Sequence, residues 1–250
     1  MNISYNLYIL SIIVAICLFS RFEVFSQNNE NVQNSEIKKR MEVLSANAKE
    51  LLDLNPQRAI SIADKIIELS YQNDYDKKIG IAYKIKADAN VSLLNYVESI
   101  KNYNLAIQFF EKYHDSTNIA NTLINLGIVY KEIGLIGIAS ENYLKAIEIL
   151  EKRKEYVDLG RTLYNFSNIF YDIKDYDKSL EYVLKAKSIF DSLNHNIGKG
   201  LTEISIGLNY IKKKKFDEAL NLLKNAEPKI KNDFPGGLIG IYSGIGDIYL

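Results

Sequence analysis

The chain has 250 residues, 47% hydrophobic and 25% charged, which excludes disorder along its whole length. Lys plus Arg number 31 and Asp plus Glu 31, so the net charge is zero and a basic face for nucleic acid is not expected. Three prolines and thirteen glycines leave room for long helices, and two histidines and one cysteine leave little material for a metal or nucleophilic site.

The first element in chain order is an apolar run, Leu7 to Ser20 (LYILSIIVAICLFS). It is shorter than the roughly 20 residues that span a bilayer as a helix and has the length of a signal-peptide core. Val24 and Ser26 are small enough for a cleavage site, giving a cut before Gln27 and a signal peptide over 1–26. Met1 to Tyr8 contain no Lys or Arg, so an uncleaved anchor is the alternative. Cleavage removes Cys17 and leaves an exported chain without a thiol, on the periplasmic or extracellular side of the inner membrane. Residues 27–39 open with the polar, Asn-rich QNNENVQNS and read as a spacer.

From residue 40 the sequence repeats with a period of 40 residues. Leu123-x-x-Leu126-Gly127-x-x-Tyr130 returns as Leu163-x-x-Phe166-Ser167-x-x-Phe170, then Glu203-x-x-Ile206-Gly207-x-x-Tyr210, then Tyr242-x-x-Ile245-Gly246-x-x-Tyr249. Ala87 is the small residue of the repeat before. A second block follows each first one. Ala139-x3-Tyr143-x2-Ala146 recurs as Ser179-x3-Val183-x2-Ala186 and Ala219-x3-Leu223-x2-Ala226, and earlier as Ser99-x3-Tyr103-x2-Ala106 and Ala59-x3-Ala63-x2-Ile66. Offsets of three and four lie on one face of a helix. Small residues at fixed positions let two backbones approach while large neighbours fill the holes. Each unit is therefore a pair of antiparallel helices, A and B, with turns at Gly134, Asp175 and Lys214-Lys215. One pair cannot bury its own apolar face, and stacking neighbours does.

These blocks resemble the tetratricopeptide repeat: a Leu-Gly pair, an aromatic three residues later, then Ala-x3-aromatic-x2-Ala on the second helix. The resemblance covers 40–250, with units starting near 40, 80, 120, 160, 200 and 239, the last incomplete. It implies an all-α fold, a right-handed solenoid of antiparallel helix hairpins. Three departures are expected to matter. The unit is 40 residues rather than 34, which should lengthen helix B and its link. The proline closing helix B is absent apart from Pro228. In the first unit Asn47 and Glu50 stand where Gly and Tyr are expected, as in a capping repeat. The chain stops on a helix A, from which a truncated or longer parent protein is expected.

No phosphate loop, zinc helix or nucleophile elbow is present, so no enzyme, cofactor or metal is expected. Pro235-Gly236-Gly237 reads as a tight link, His114 and His195 as solvated link residues, and Lys212 to Lys215 as a solvated turn. The resemblance implies that helix A positions 2, 5, 6, 9, 12 and 13 line a concave face. Lys84 and Asp88 fall there in the second unit. Asn121, Ile124, Asn125, Ile128, Lys131 and Glu132 do so in the third, and Arg161, Tyr164, Asn165, Asn168, Tyr171 and Asp172 in the fourth. Leu201, Ile204, Ser205, Leu208, Ile211 and Lys212 make the fifth apolar. Asn offers a donor and an acceptor to a peptide bond, and Arg and Lys hold carboxylates. The expected ligand-binding set is Lys84, Asn121, Asn125, Arg161, Tyr164, Asn165, Asn168 and Tyr171, and the expected partner is a protein or peptide segment. Asp88 and Asn165 break the pattern by which some relatives clamp a carboxy terminus. The alternative is a sensory ectodomain of a bacterial signalling protein, with a membrane tether and a histidine kinase or DNA-binding output domain beyond residue 250.

Overall fold

The computed structural model describes residues 35–73 and 75–249. The expected signal peptide and most of the expected spacer lie outside the described residues. Residues 35–39, assigned to the spacer from sequence, form the first turn of a helix, α1, over 35–50. Eight further helices follow in the pattern of hairpins: α2 (Pro56–Gln72), α3 (Ile79–Ser92), α4 (Tyr96–Lys112), α5 (Ser116–Glu132), α6 (Ile136–Arg153), α7 (Tyr156–Asp172), α8 (Tyr176–Ser192) and α9 (Asn196–Lys212). The described chain closes with α10 (Phe216–Ile230), a 3₁₀ turn over Pro235–Gly237 and α11 (Leu238–Tyr249). Among the described residues there is no β-strand, and no helix is long and apolar enough to cross a membrane.

The chain divides into two compact units, one ending at Leu93 and one starting at Leu94. In the first, Ala59, Ala63 and Ile66 of α2 are fully buried with Ala48 of α1 and with Ala82, Ile85 and Ala89 of α3. The first repeat is less degenerate than the sequence suggests. Ala48 is buried and Asn47 exposed, so the small residue of α1 stands one position later than the 40-residue count places it.

In the second unit α5, α7 and α9 each pack on the helix that follows, and α6, α8 and α10 pack in turn on the first helix of the next repeat, giving cores around Tyr143 and Phe166 and around Leu223 and Ile241. The columns found by periodicity are the packing columns. Ser99, Ala139, Ser179 and Ala219 are all fully buried, as are Ala106, Ala146, Ala186 and Ala226. Glu203 is the polar member of the column that holds Leu123 and Leu163. It lies nearly buried and is compensated by Lys229, whose Nζ donates to Oε1 at 2.7 Å.

The expected lengthening of helix B alone is not what happens. Helices α4, α5, α7, α8 and α9 are all 17 residues and α6 is 18, so both members of a pair share the extra length. The turns between them are built alike. The residue after the C-cap is left-handed at Leu94, His114, Gly134, Lys174, Asn194 and Lys214, and at Lys154 the left-handed residue is the C-cap of α6 itself. After every one of these but Leu94 the next N–H reaches back five residues, as in Leu135 N to Tyr130 O at 2.8 Å and Asp175 N to Phe170 O at 2.8 Å. This is the Schellman closure, which satisfies helix-end carbonyls that would otherwise lack partners. Pro228 lies inside α10, which at 15 residues is shorter than its counterparts.

Candidate functional site

The residues nominated from sequence fall into the two units and are described separately. In the first, Lys84 lies on α3 with its Nζ 2.9 Å from Asp88 Oδ2, both side chains partly buried. One turn of one helix thus holds a self-neutralised pair. That agrees with the sequence objection to a carboxylate clamp here, because Asp88 already occupies the lysine's charge.

In the second unit, α5, α7, α9 and α11 are the first helices of successive repeats. Asn121 and Asn125 lie on α5, with Tyr164, Asn165, Asn168 and Tyr171 on α7. All six are partly exposed, whereas Thr122, Leu126, Thr162, Phe166 and Ile169 on the other faces of the same helices are buried. The reason is local: the buried stripe supplies the contacts to α6 and α8, so the stripe between remains for polar side chains. Arg161 is exposed at the start of α7, its Nη1 3.5 Å from Asp158 Oδ1. At that distance and exposure the pair leaves the guanidinium open to a further anion.

Two phenols stand on this wall. Burial is the main cause that pushes the Tyr164 hydroxyl above its ordinary pKa, opposed by a hydrogen bond with Asn168 and by the charge of Lys131. Burial also raises Tyr171, with Lys212 acting against it, and its ring meets Tyr176 edge-on at 5.6 Å between centroids. Both stay neutral near pH 7 and present an apolar ring with a hydrogen-bonding tip.

Ion pairs tie neighbouring first helices at one end of the wall. Lys131 Nζ lies 2.8 Å from Asp172 Oδ2, joining α5 to α7, and Lys212 Nζ lies 3.5 Å from Asp247 Oδ2, joining α9 to α11. Sequence reasoning had placed Lys131, Asp172 and Lys212 on the wall but not paired them, and it missed Asp247. Spacing within one helix says little about which side chains meet across two. The lysine run is partly engaged elsewhere as well: Lys213 pairs with Asp177, and Lys215 lies over the Tyr210 ring at 5.3 Å. In the fifth repeat Ile204, Ser205 and Ile211, expected to line the wall, are instead buried, and Ile204 and Ile211 share a core with Ile241 of α11.

Both histidines lie at links between helices. His195 is partly buried rather than solvated: its Nδ1 accepts from Gly198 N at 2.9 Å, capping α9, and its ring lies 5.2 Å from Phe190. His114 is exposed in a left-handed turn. Among the described residues no group of His, Cys, Asp and Glu side chains could hold a metal ion.

Residues 79–152 match the tetratricopeptide repeat family. No curated protein is similar enough in sequence to count as a match. Among solved structures, the apo form of the quorum sensor NprR from B. thuringiensis is similar, with a TM-score of 0.63 at 17% identity over 91% of this chain and 67% of that one. The same sensor with its cognate peptide NprX gives a TM-score of 0.59 at 18% identity, over 89% and 65%. A signal-transduction ATPase with a tetratricopeptide repeat sensor from Pyrococcus horikoshii gives 0.65 at 17% identity, over 83% of this chain and 33% of that one. Identities this low carry the fold alone.

Proposed function

We propose that this tetratricopeptide-repeat array is a non-enzymatic scaffold that holds an extended protein or peptide segment along the inner wall of its second unit. One observation carries the reading: the partly exposed Asn125 of α5 recurs one repeat on as Asn165 of α7, with Asn121 and Asn168 partly exposed on the same two helices and the exposed Arg161 at the position equivalent to Asn121. Packed helices lie about 8–10 Å apart, and an extended chain rises about 3.3 Å per residue. Successive helices would therefore meet every third residue of a bound segment. Each asparagine can give an N–H and take one in return from a peptide group. Tyr164 and Tyr171 supply rigid walls, and Arg161 takes a carboxylate. The likeness in fold to a quorum sensor solved with its peptide supports a peptide as ligand. No nucleic acid or cofactor enters this reading.

The place of action belongs to the proposal. The apolar run Leu7 to Ser20 and the cut before Gln27 support export. A second reading, that the array is the receiving part of a signalling protein, is supported by the likeness to the ATPase's repeat sensor. In that reading an output domain and a membrane tether belong to the same protein.

The test is a peptide-library selection on the full chain, followed by calorimetry. Asn125→Ala with Asn165→Ala should weaken a selected peptide roughly tenfold, the loss expected for one or two hydrogen bonds, at unchanged helicity. Equal affinity of the double variant overturns the groove. Mass spectrometry of the expressed protein tests export: an amino terminus at Gln27 supports it, and retention of Met1 inside the cell refutes it.

A further inference from the structure

Because the repeats are stacked hairpins, the turns that lead into α4, α6, α8 and α10 fall along one edge of the second unit, and that edge changes character along the chain. Leu94 and Val97 lead into and open α4. The 40-residue period sets Gly134 and Gly137 in their places at α6, Lys174 and Asp177 at α8, and Lys214 and Asp217 at α10. The last two turns are thus charged at both positions, and the first two are not. Leu94 is 71% exposed and Val97 80%, among the most exposed large apolar side chains of the described residues. Ile133, Leu135 and Ile138, beside the two glycines, are exposed as well. The two turns are neighbours: Ile133 joins Leu94, Tyr96, Val97 and Ile100 in lining a groove of about 550 Å³.

The two glycines leave a hollow. A Cβ added at Gly134 or at Gly137 would meet nothing within 4 Å. Gly134 is called for by its own turn, with φ at 79°. Gly137 is not. It lies in the first turn of α6, where alanine is favoured over glycine and an added methyl would touch no neighbour. Gly127 and Gly207, by contrast, each have a side chain seated against them.

The charges that flank these two turns in sequence are Glu98, Lys101, Lys131, Glu132 and Glu141. Lys101 lies 3.6 Å from Glu98, and Lys131 pairs with Asp172 at 2.8 Å. Lysine is not in excess there, so the edge lacks the positive fringe that holds an anionic lipid surface. The whole chain carries 31 Lys plus Arg against 31 Asp plus Glu, so two copies do not repel each other.

We propose that this edge joins two copies of the chain in a weak two-fold pair, with Leu94 and Val97 of each copy seated over Gly134 and Gly137 of the other. In a two-fold contact residue i meets j while j meets i, so one patch must carry both a projection and its receptor. The second and third repeats supply these halves side by side, and Ile133, Leu135 and Ile138 wall the hollow. A foreign partner would call for a projection or a hollow, not for both at equivalent positions one repeat apart. Two turns offer a few hundred Å² of apolar surface, short of the roughly 800 Å² a side of a stable pair. The pair is therefore reversible, with a dissociation constant of about 10–100 μM. Asn125 and Asn165 lie in the middle of their helices, away from these turns, so pairing leaves the inner wall open.

Sedimentation velocity of the full chain from about 1 to 500 μM brackets that constant. The weight-average mass should rise from one chain towards two across the range. Val97→Glu should hold it at one chain with helicity unchanged, since the position is exposed in the single chain. Gly137→Leu should do the same by filling the hollow. Leu184→Glu, at an exposed apolar position on α8, should leave the pairing intact. A single-chain mass at every concentration overturns the proposal, as does a dimer indifferent to Val97→Glu or to Gly137→Leu. Co-sedimentation of the single chain with phosphatidylcholine–phosphatidylserine vesicles, lost in Val97→Glu, also overturns it, because lipid then covers the edge.

Discussion

Alanine in place of glycine at one register position should have opposite signs on two helices. In a helix interior alanine is favoured over glycine by about 0.8–1 kcal/mol. At Gly246 an added methyl meets nothing within 4 Å, so the gain stays whole and α11 should be stabilised by roughly 1 kcal/mol. At Gly127 the methyl would lie 2.9 Å from Tyr143 Cε2 and 3.1 Å from Cδ2 and Cζ. Carbon pairs prefer about 3.5–4.0 Å. The ring has little room to retreat, because Tyr143 is 1% exposed and its centroid lies 5.8 Å from that of Phe166. Overpacking a full core costs roughly 1–3 kcal/mol. Less the propensity gain, Gly127→Ala should destabilise the α5–α6 pair by up to about 2 kcal/mol. Gly207→Ala should fall between, since its nearest neighbour is the flexible Leu223 side chain at 3.1 Å.

Native-state hydrogen exchange on the full chain reads these effects helix by helix, because local openings carry their own free energies. Amides of α5 and α6 should exchange faster in Gly127→Ala, and those of α11 more slowly in Gly246→Ala. Equal stabilisation by both variants would refute the seating of Tyr143 on Gly127. Faster exchange of α11 in Gly246→Ala would mean that something already fills the space beside Gly246.

Lys174 holds a left-handed conformation, φ 65°, that costs an L-residue roughly 1–2 kcal/mol. Lys174→Gly should therefore stabilise the fold by about 0.5–1 kcal/mol once the glycine's unfolded entropy is counted, read as a higher urea midpoint. An unchanged midpoint would show that the turn does not strain the lysine. Glu155 gives a pH dependence. A hydrogen bond from Arg153 Nε at 2.6 Å is the main cause holding its carboxyl below the ordinary value, and one from Thr117 Oγ1 at 2.8 Å adds to it, against the effect of burial. A folded-state pKa that is lowered stabilises above the unfolded value, and that stability is lost as pH falls through the lowered one. Arg153→Ala should move the Glu155 titration, followed by carbon-detected NMR, back towards the ordinary carboxylate range and flatten the acid limb of stability. An unmoved titration would refute the assigned cause.

The repeat was legible because packing volume leaves a mark in sequence. A column that must admit a neighbouring backbone is small at Ser99, Ala139, Ser179 and Ala219, whatever else changes. The turn geometry was not legible. Glycine is the usual sign of a left-handed residue, and of the seven such positions among the described residues only Gly134 is one. The turns could be placed only by counting between columns. The count failed in the first repeat, where Ala48 rather than position 47 carries the packing. Of the positions assigned to the wall, Ile124, Ile204, Ser205 and Ile211 are buried, and the contacts among the rest were legible only within one helix. Lys84 with Asp88 sits within one helix and could be read. Lys131 with Asp172 spans two helices, and its geometry depends on how the repeats stack.

Each first helix of the second unit thus divides its circumference among three duties. One stripe meets the helix of its own pair, one meets the preceding repeat, and one faces neither. The first two are held by volume, so substitutions there are confined to residues of matching size, as Gly127 and Ser167 show. On α5 and α7 the third is free of that constraint and carries amides, whereas on α9 the equivalent Ile204 and Ile211 are packed with α11. A binding surface can change in this third stripe without cost to the fold.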